Sequence, residues 1–484
     1  MNELALITDG YLDGAVSPLS TDQRWDSINP STGEVLARVA VGTADDVDHA
    51  VGVAGAAYPA WRFTRPSDRG RILNRVALTL RQEAQEFARV ESLDTGKPFS
   101  IALGDVEVAA RYFEFYAGAA DKLHGDVIPL GAQYHAYTTH EPYGVIGVIL
   151  PWNAPLQQAA RSIAPALATG NVVVAKPAED APLSVLLLAA LASRCGLPAG
   201  VLNVVPGDGP GTGQALVDHP CVRRLMFTGS VEVGRHVGVA GAERLVPVGL
   251  ELGGKSPNIV FADADLEAAA KGSTLAITYN SGQACSAGSR LLVQEEIYDE
   301  FLALMADRLG AVSVGHALDD PDIGPITTRD QFARVQDYLS RAEANGATAV
   351  LDARAEVLDR HPGGLYVAPK LLAAQHGSLL STEEIFGPVL VATRFSDVDE
   401  AIALANDTEY GLVSGLWTRD VNLAHYVAPQ LQSGQVFVNN WFGGGVETPF
   451  GGYKNSGIGR EKGFEALHHY TQVKTTIFDV SIGS

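Results

Sequence analysis

The chain has 484 residues, with 35 Lys+Arg against 56 Asp+Glu, a formal net charge of −21 and a sequence pI of about 4.9. Nucleic acid and anionic membrane are excluded as expected partners, because both require a basic face that displaces counterions. A hydrophobic fraction of 46% with 19% charged residues describes a large buried core and not a disordered chain.

The opening residues, MNELALITDGYLDG, have no basic stretch followed by an apolar one, so no secretory leader is expected. The longest apolar run, between Pro182 and Arg194, falls short of the roughly 18 residues a bilayer span requires. Three scattered cysteines, Cys195, Cys221 and Cys285, make no disulfide framework. A soluble protein of a reducing cytoplasm, without a bound metal, is expected.

Between Ala120 and Pro142 two short extended pieces, Asp126–Leu130 and His135–His140, are separated by turn residues. From Val145 onward strand and helix patterns alternate. Val145–Leu150, Val172–Ala175, Val201–Val205 and Val222–Phe227 read as strands; Leu156–Ala168 and Pro182–Arg194 read as helices, and another helix opens near Ser230. Continuous apolar strands alternating with helices predict a parallel sheet covered on both faces. Such sheets take ligands beyond the carboxyl ends of their strands.

A boundary near Gly253-Gly254 starts a second alternation. Its strands are Asn258–Ala262 and Arg290–Gln294, and its helices Asp265–Thr278, Ile297–Leu309 and Gln331–Ala344, with further pairs from Val389 to Asn439. Thr475–Val480 is an exposed strand candidate that can pair with the 120–142 pieces or with another subunit. The expected fold is therefore α/β, with two doubly wound parallel-sheet domains and a small β element. The first domain takes 1–119 and 143–252, the second 253–468, and the β element 120–142 and 469–484.

Several loops at strand ends carry chemistry. Cys285 lies in Asn280-Ser-Gly-Gln-Ala-Cys285-Ser-Ala-Gly-Ser-Arg290, a small, polar setting expected to depress a thiol pKa and make a nucleophile. Cys195 and Cys221 lie in settings where cysteine is ordinarily a small core residue. Glu251, between two leucines at a strand end, is either part of a surface strand or a carboxylate of raised pKa that accepts a proton from water. Gly249-x-x-x-x-Gly254-Lys255-Ser256 matches a phosphate-binding P-loop in letters. That loop must lead into a helix, and the strand-like Asn-Ile-Val-Phe after Pro257 rules it out.

Asn153, in Pro151-Trp152-Asn153-Ala154-Pro155, is either a helix cap or a neutral amide donor suited to an oxyanion. Lys176-Pro-Ala-Glu179 is either a solvated turn or a pair that hydrogen-bonds ribose hydroxyls. Phe227-Thr-Gly229-Ser230 opens a helix whose N-terminus can face a pyrophosphate. Gly207–Gly213 fits no G-x-G-x-x-G register.

Together these segments resemble the aldehyde dehydrogenase superfamily of NAD(P)-dependent enzymes over essentially the whole chain. The motifs run in that family's order, from Pro151–Pro155, Lys176–Glu179, Phe227–Ser230, Leu250–Lys255 and Gly282–Cys285 to Glu383–Pro388 and Pro449–Gly457. The resemblance implies a Rossmann-like cofactor domain beside a catalytic domain. It also implies a covalent route: Cys285 attacks the aldehyde, and Asn153 and the Cys285 backbone N–H hold the oxyanion. Hydride then passes to the nicotinamide, and water activated by Glu251 hydrolyses the thioester. Implied cofactor contacts are Ile149, Pro151, Trp152, Lys176, Glu179, Gly209, Gly229, Ser230, Glu384 and Phe386. Glu179 accepts from a free ribose 2′-hydroxyl and repels a 2′-phosphate, which favours NAD over NADP.

The implied substrate pocket is Ala154, Gln157, Gln158, Arg161, Tyr279, Trp441, Phe442 and Phe450. Its aromatics favour an aromatic or medium-length apolar aldehyde. Arg161 favours instead a semialdehyde whose carboxylate it anchors. Thr278 departs from the family's aromatic or aliphatic residue seven positions before the cysteine and is expected to tune packing only. A CoA-acylating dehydrogenase, a non-catalytic structural descendant and an interaction module are the competing readings. The segments 120–142 and 469–484 look like the family's oligomerisation elements, so a homodimer or homotetramer is expected.

Overall fold

The computed structural model describes residues 6–481. Its centre is an eight-stranded sheet in which five consecutive strands are parallel: Val248–Glu251, Val222–Thr228, Val145–Ile149, Val172–Lys176 and Leu202–Val204. Antiparallel strands flank both sides, Gly457–Ile458 beside Val248–Glu251, and Gly10–Leu12 beside Leu202–Val204 with Ala15–Ser17 outside it. Val172–Lys176 is buried at every residue, as a central strand with helices on both faces must be. The helices Pro155–Ala168 and Leu183–Arg194 are buried almost all round; the second is correspondingly apolar on every side, while the first carries Gln157, Gln158, Arg161 and Ser162 toward the site.

Register places the functional loops. Ile149 sits opposite Lys176, Phe227 opposite Ile149, and Thr228 opposite Glu251. The carboxyl ends of four strands thus reach one edge together, and each is followed by a segment singled out in the sequence.

The second sheet has seven strands in the order Thr348–Asp352, Lys370–Ala373, Val389–Phe395, Arg290–Gln294, Pro257–Val260, Val413–Trp417 and Gln435–Val438. All neighbours are parallel except the first pair. The strand Pro257–Val260 follows Lys255 directly, so the P-loop lettering is without its helix. Lys255 is buried, and its ammonium has no hydrogen-bond partner.

After Gln435–Val438 the chain crosses back. Val446, Ala466, Leu467 and Tyr470 join the core of the first sheet, and Gly457–Ile458 pairs with its edge. Gly457 is left-handed (φ 140°), and a Cβ there would lie 2.0 Å from the Leu250 carbonyl oxygen, so only glycine fits.

The 120–142 pieces and the C-terminal strand pair with each other. Thr471–Asp479 runs antiparallel to Tyr134–Pro142 over nine residue pairs, with Val127–Ile128 outside it. No helix among the described residues is long and apolar enough to cross a membrane.

The N-terminal third contains four helices absent from the sequence reading, Ala44–Phe63, Pro66–Gln82, Ala84–Thr95 and Phe99–Ala119. Phe99–Ala119 packs along Pro155–Ala168 and supplies a wall of the site described next.

Candidate active site

Cys285 lies where two cavities meet. The smaller, about 200 Å³, is lined by Pro151, Trp152, Gly229, Ser230, Glu251, Glu384 and Phe386 among others. The larger, about 650 Å³, is lined by Ala154, Gln157, Arg161, Tyr279, Phe442 and Phe450 together with the helix Phe99–Ala119. Asn153, Gln158 and Cys285 line both. A volume of 650 Å³ is enough to enclose a small organic molecule.

The loop that carries Cys285 is tightly held. Asn280 and Ser281 are both left-handed (φ 51° and 57°), a conformation that costs non-glycine residues energy and tends to cluster at functional sites. Buried hydrogen bonds fix it: Ser281 Oγ donates to the Gly324 carbonyl at 2.8 Å, and the Thr327 N–H donates to Gln283 Oε1 at 2.9 Å. Thr278 Oγ1 donates to the Thr274 carbonyl one turn back at 2.8 Å, a bond confined to its own helix.

Asn153 is not a helix cap. Ala154 occupies that position, without a side-chain bond. The Asn153 amide instead donates from Nδ2 to the Gln283 carbonyl at 2.8 Å, two residues before Cys285. Asn280 Nδ2 donates back to the Asn153 carbonyl at 2.9 Å. The amide is thereby locked against the cysteine loop, with its second N–H uncommitted.

The thiol corrects a sequence expectation. Cys285 is partly buried, and burial pushes it up to about 12, with Glu251 and Glu384 adding to the effect and Arg161 opposing it. A polar sequence neighbourhood does not guarantee solvent, because the second sheet and the Pro155–Ala168 helix enclose the loop. Cys221 is a second correction: it is exposed, at the turn before Val222, where its N–H donates to His219 Nδ1 at 3.1 Å. Cys195 is buried as expected.

Glu251 is buried, with Oε2 lacking any hydrogen-bond partner. Burial raises its pKa well above the ordinary value; Arg161 opposes this and Glu461 reinforces it. A carboxyl so placed is a stronger base than a solvated one and can accept a proton from water. Glu384 is likewise raised by burial to about 7, against a 3.0 Å hydrogen bond from the Gly254 N–H.

Arg161 lies in the larger cavity, yet its charge is already taken. It forms a buried ion pair with Glu461, its Nη2 reaches Thr228 Oγ1 at 3.4 Å, and its guanidinium stands 5.5 Å from the centre of the Phe450 ring. Burial disfavours its charge, but Glu461 and Glu251 outweigh burial and keep it protonated.

Ile149, Lys176, Glu179 and Gly209 are not among the residues lining the smaller cavity. The Lys176 ammonium and the Glu179 carboxylate are paired at 2.7 Å at the same strand-end edge. Ser230 caps the helix Val231–Glu243, accepting from the Val233 N–H at 3.3 Å. Trp152 meets Phe386 edge to face at 5.5 Å. Trp441 does not line the larger cavity: it is buried behind the loop, and its indole N–H donates to the Ser286 carbonyl at 3.1 Å.

The sequence reading missed Asp105, Arg111, Tyr112, Phe437, Glu447 and Lys462 in the larger cavity, and Thr228, Gln331 and Arg334 in the smaller. Gln331 Nε2 donates to the Phe386 carbonyl at 2.9 Å, and Arg334 to that of Glu384 at 3.1 Å. Tyr279 OH donates to Asp105 Oδ1 at 3.1 Å, and Asp105 pairs with buried Lys97 at 2.5 Å. Thr228 lies within the Phe227–Ser230 motif, and Gln331 and Arg334 reach the Glu383–Pro388 motif; the others had no local signal.

A parallel sheet whose strand ends open on one cavity, with a thiol between that cavity and a second, defines an α/β fold with a ligand site at its strand ends. The aldehyde dehydrogenase family model matches residues 18–476. The human mitochondrial aldehyde dehydrogenase is 43% identical over 461 residues, covering 94% of this chain and 88% of the relative. The hydroxyisobutyraldehyde dehydrogenase of Mycolicibacterium austroafricanum is 42% identical over 466 residues, 96% and 92% of the two chains. Among solved structures, betaine aldehyde dehydrogenase from Staphylococcus aureus in complex with NAD+ superposes with a TM-score of 0.96 at 35% identity, covering 99% of this chain and 96% of that one. The chain belongs to the aldehyde dehydrogenase family.

Proposed function

We propose that the protein oxidises an aromatic or medium-length apolar aldehyde to its carboxylic acid with NAD. The observation that carries this reading is the position of Cys285 between the two cavities, with Asn153 beside it in both and Glu251 in the smaller one.

In this mechanism Cys285 Sγ attacks the aldehyde carbon. Its proton has to leave for solvent first, because burial keeps the thiol protonated, and Glu251 stays ionised as the base for the second half of the reaction. The resulting oxyanion receives the free Asn153 amide N–H and the Cys285 backbone N–H, donors that need no reorganisation. NAD bound in the smaller cavity supplies the hydride acceptor. Glu251 then draws a proton from water, which attacks the Cys285 thioester and releases the acid and the thiol.

The smaller cavity suits the cofactor on its own chemistry. It lies at the carboxyl ends of parallel strands, is flanked by Trp152 and Phe386, and carries the Glu384 carboxyl and the Ser230 helix start. Lys176 and Glu179 hold the adenosine ribose in this reading. Glu179 disfavours a 2′-phosphate, hence NAD over NADP.

Five aromatic side chains, Tyr112, Tyr279, Phe437, Phe442 and Phe450, line the larger cavity, supporting an apolar substrate body. The commitment of Arg161 to Glu461 argues against its serving as a carboxylate anchor. The sheet Thr471–Asp479, Tyr134–Pro142, Val127–Ile128 exposes Val127, Val473, Ile477 and Phe478, which supports assembly into a dimer or tetramer. NADH appearance with benzaldehyde, a long-chain aldehyde and succinic semialdehyde tests the reading: turnover is expected to favour one of the first two, and preference for the semialdehyde overturns the substrate choice.

A further inference from the structure

Six charged residues line the larger cavity: Asp105, Glu107, Arg111, Arg161, Glu447 and Lys462. Five are neutralised within the protein. Asp105 pairs with Lys97 at 2.5 Å, Glu107 with Arg81 at 2.8 Å, Arg111 with both Glu114 and Glu447, and Arg161 with Glu461. Among the described residues Lys462 alone of the six has neither an ion-pair nor a hydrogen-bond partner.

The fold holds Lys462 in this position. Phe450 and Glu461 exchange backbone hydrogen bonds of 2.7 and 2.8 Å, which fixes the next residue beside the Phe450 ring. The Lys462 ammonium stands 5.7 Å from that ring's centre. Its backbone is left-handed (φ 62°), uncommon for a residue with a side chain. Glu447 acts on it only at longer range, and burial, helped by Arg161, lowers its pKa to about 8. At neutral pH it is still mostly a cation, and it stands beside an aromatic ring in a half-enclosed cavity where a counter-charge is poorly replaced by water.

We propose that Lys462 is a specificity-determining residue that receives an anionic oxygen of the substrate, so that the preferred aldehyde is aromatic and carries a carboxylate or phenolate away from its reacting carbonyl. This rests on the reading of the larger cavity as the aldehyde site. The aromatic walls take the ring, Arg161 stays locked to Glu461, and the Lys462 ammonium, unpaired among the described residues, receives the anionic oxygen.

The test compares kcat/KM for 4-carboxybenzaldehyde and benzaldehyde in the wild type, Lys462→Met and Lys462→Arg. The wild type is expected to prefer the carboxylated aldehyde. In Lys462→Met the ratio of the two should fall on the order of tenfold to a hundredfold, chiefly through KM, and Lys462→Arg should restore most of it. A ratio that is unchanged in Lys462→Met overturns the proposal. Calorimetric binding of terephthalate against benzoate gives the same comparison without turnover: tighter dicarboxylate binding lost in Lys462→Met supports the proposal, and equal affinities overturn it. Absence of NADH with both aldehydes, with the dicarboxylate preference intact, sinks the aldehyde reading and leaves the role of Lys462 standing.

Discussion

Arg161 and Glu461 form an ion pair with side chains 7% and 1% exposed, and both act on the Glu251 carboxyl. Ser162 Oγ donates to the other Glu461 oxygen at 2.8 Å, so both oxygens of that carboxylate are occupied. Burial raises the Glu251 pKa most; Arg161 restrains that rise more than Arg460 and Lys462 do, and Glu461 adds to it.

Arg161→Met therefore has two expected consequences. Stability falls by about 3–5 kcal/mol, because Glu461 remains as an uncompensated buried charge; urea denaturation measures this. The Glu251 pKa rises further, so the acid limb of the pH–rate profile moves to higher pH. A limb that stays in place shows that the pair does not act on Glu251.

Glu251→Gln should separate the two halves of the reaction. Oxidation would release a burst of NADH of about one per site and then stall, with steady turnover down roughly 10²–10⁴-fold. Mass spectrometry of the quenched protein should find the acyl group on Cys285. Unimpaired steady turnover would assign the water-activating role elsewhere.

Alkylation separates the cysteines. In the protein without cofactor, Cys221 is exposed and Cys285 is held protonated by burial. Iodoacetamide at pH 7.5 should modify Cys221 about tenfold or more faster, and the Cys285 rate should keep climbing past pH 10. Peptide mapping reads both. A Cys285 rate that levels off near pH 7 would mean that the folded site stabilises its thiolate.

The motif loops were legible in the sequence because each keeps its chemistry within about ten residues of a strand end. Pro151–Pro155, Lys176–Glu179, Phe227–Ser230 and Leu250–Lys255 all sit where the alternation placed them. The parallel strands were legible for the same reason, since burial on both faces leaves an unbroken apolar run. The far wall of the larger cavity was not. Asp105 meets Tyr279 across 174 positions, and Lys462 becomes a pocket residue only through the pairing of Phe450 with Glu461. The direction of the Cys285 pKa was missed because desolvation comes from elements packed over the loop, not from its own neighbours.

Lys255, the residue that completes a false P-loop, makes a stability prediction. Burial and Arg290 lower its pKa from 10.5 to about 7. Between those values the unfolded chain binds a proton that the folded one has lost, so stability rises as pH increases from about 7 to about 10.5. Lys255→Met removes that slope and should stabilise the fold by a few kcal/mol at pH 7, roughly 1.4 per pH unit of the shift. Calorimetric melting at pH 7, 8.5 and 10 measures it; parallel curves for the two proteins would show that the amine is not the titrating group.

Glu251 lies on the strand next to the sheet edge, and its outer neighbour, Gly457–Ile458, is made roughly 200 residues later. At synthesis rates of about 5–20 residues per second, the acid waits some 10–40 s on the ribosome before its seat exists. The strand Tyr134–Pro142 waits longer still for Thr471–Asp479. A nascent chain interrupted near residue 440 thus carries the cysteine and every strand of the second sheet, yet has neither the Glu251 seat nor the partner of its exposed edge. A chain terminated there leaves the Tyr134–Pro142 edge unpaired, the kind of edge that favours association with other chains.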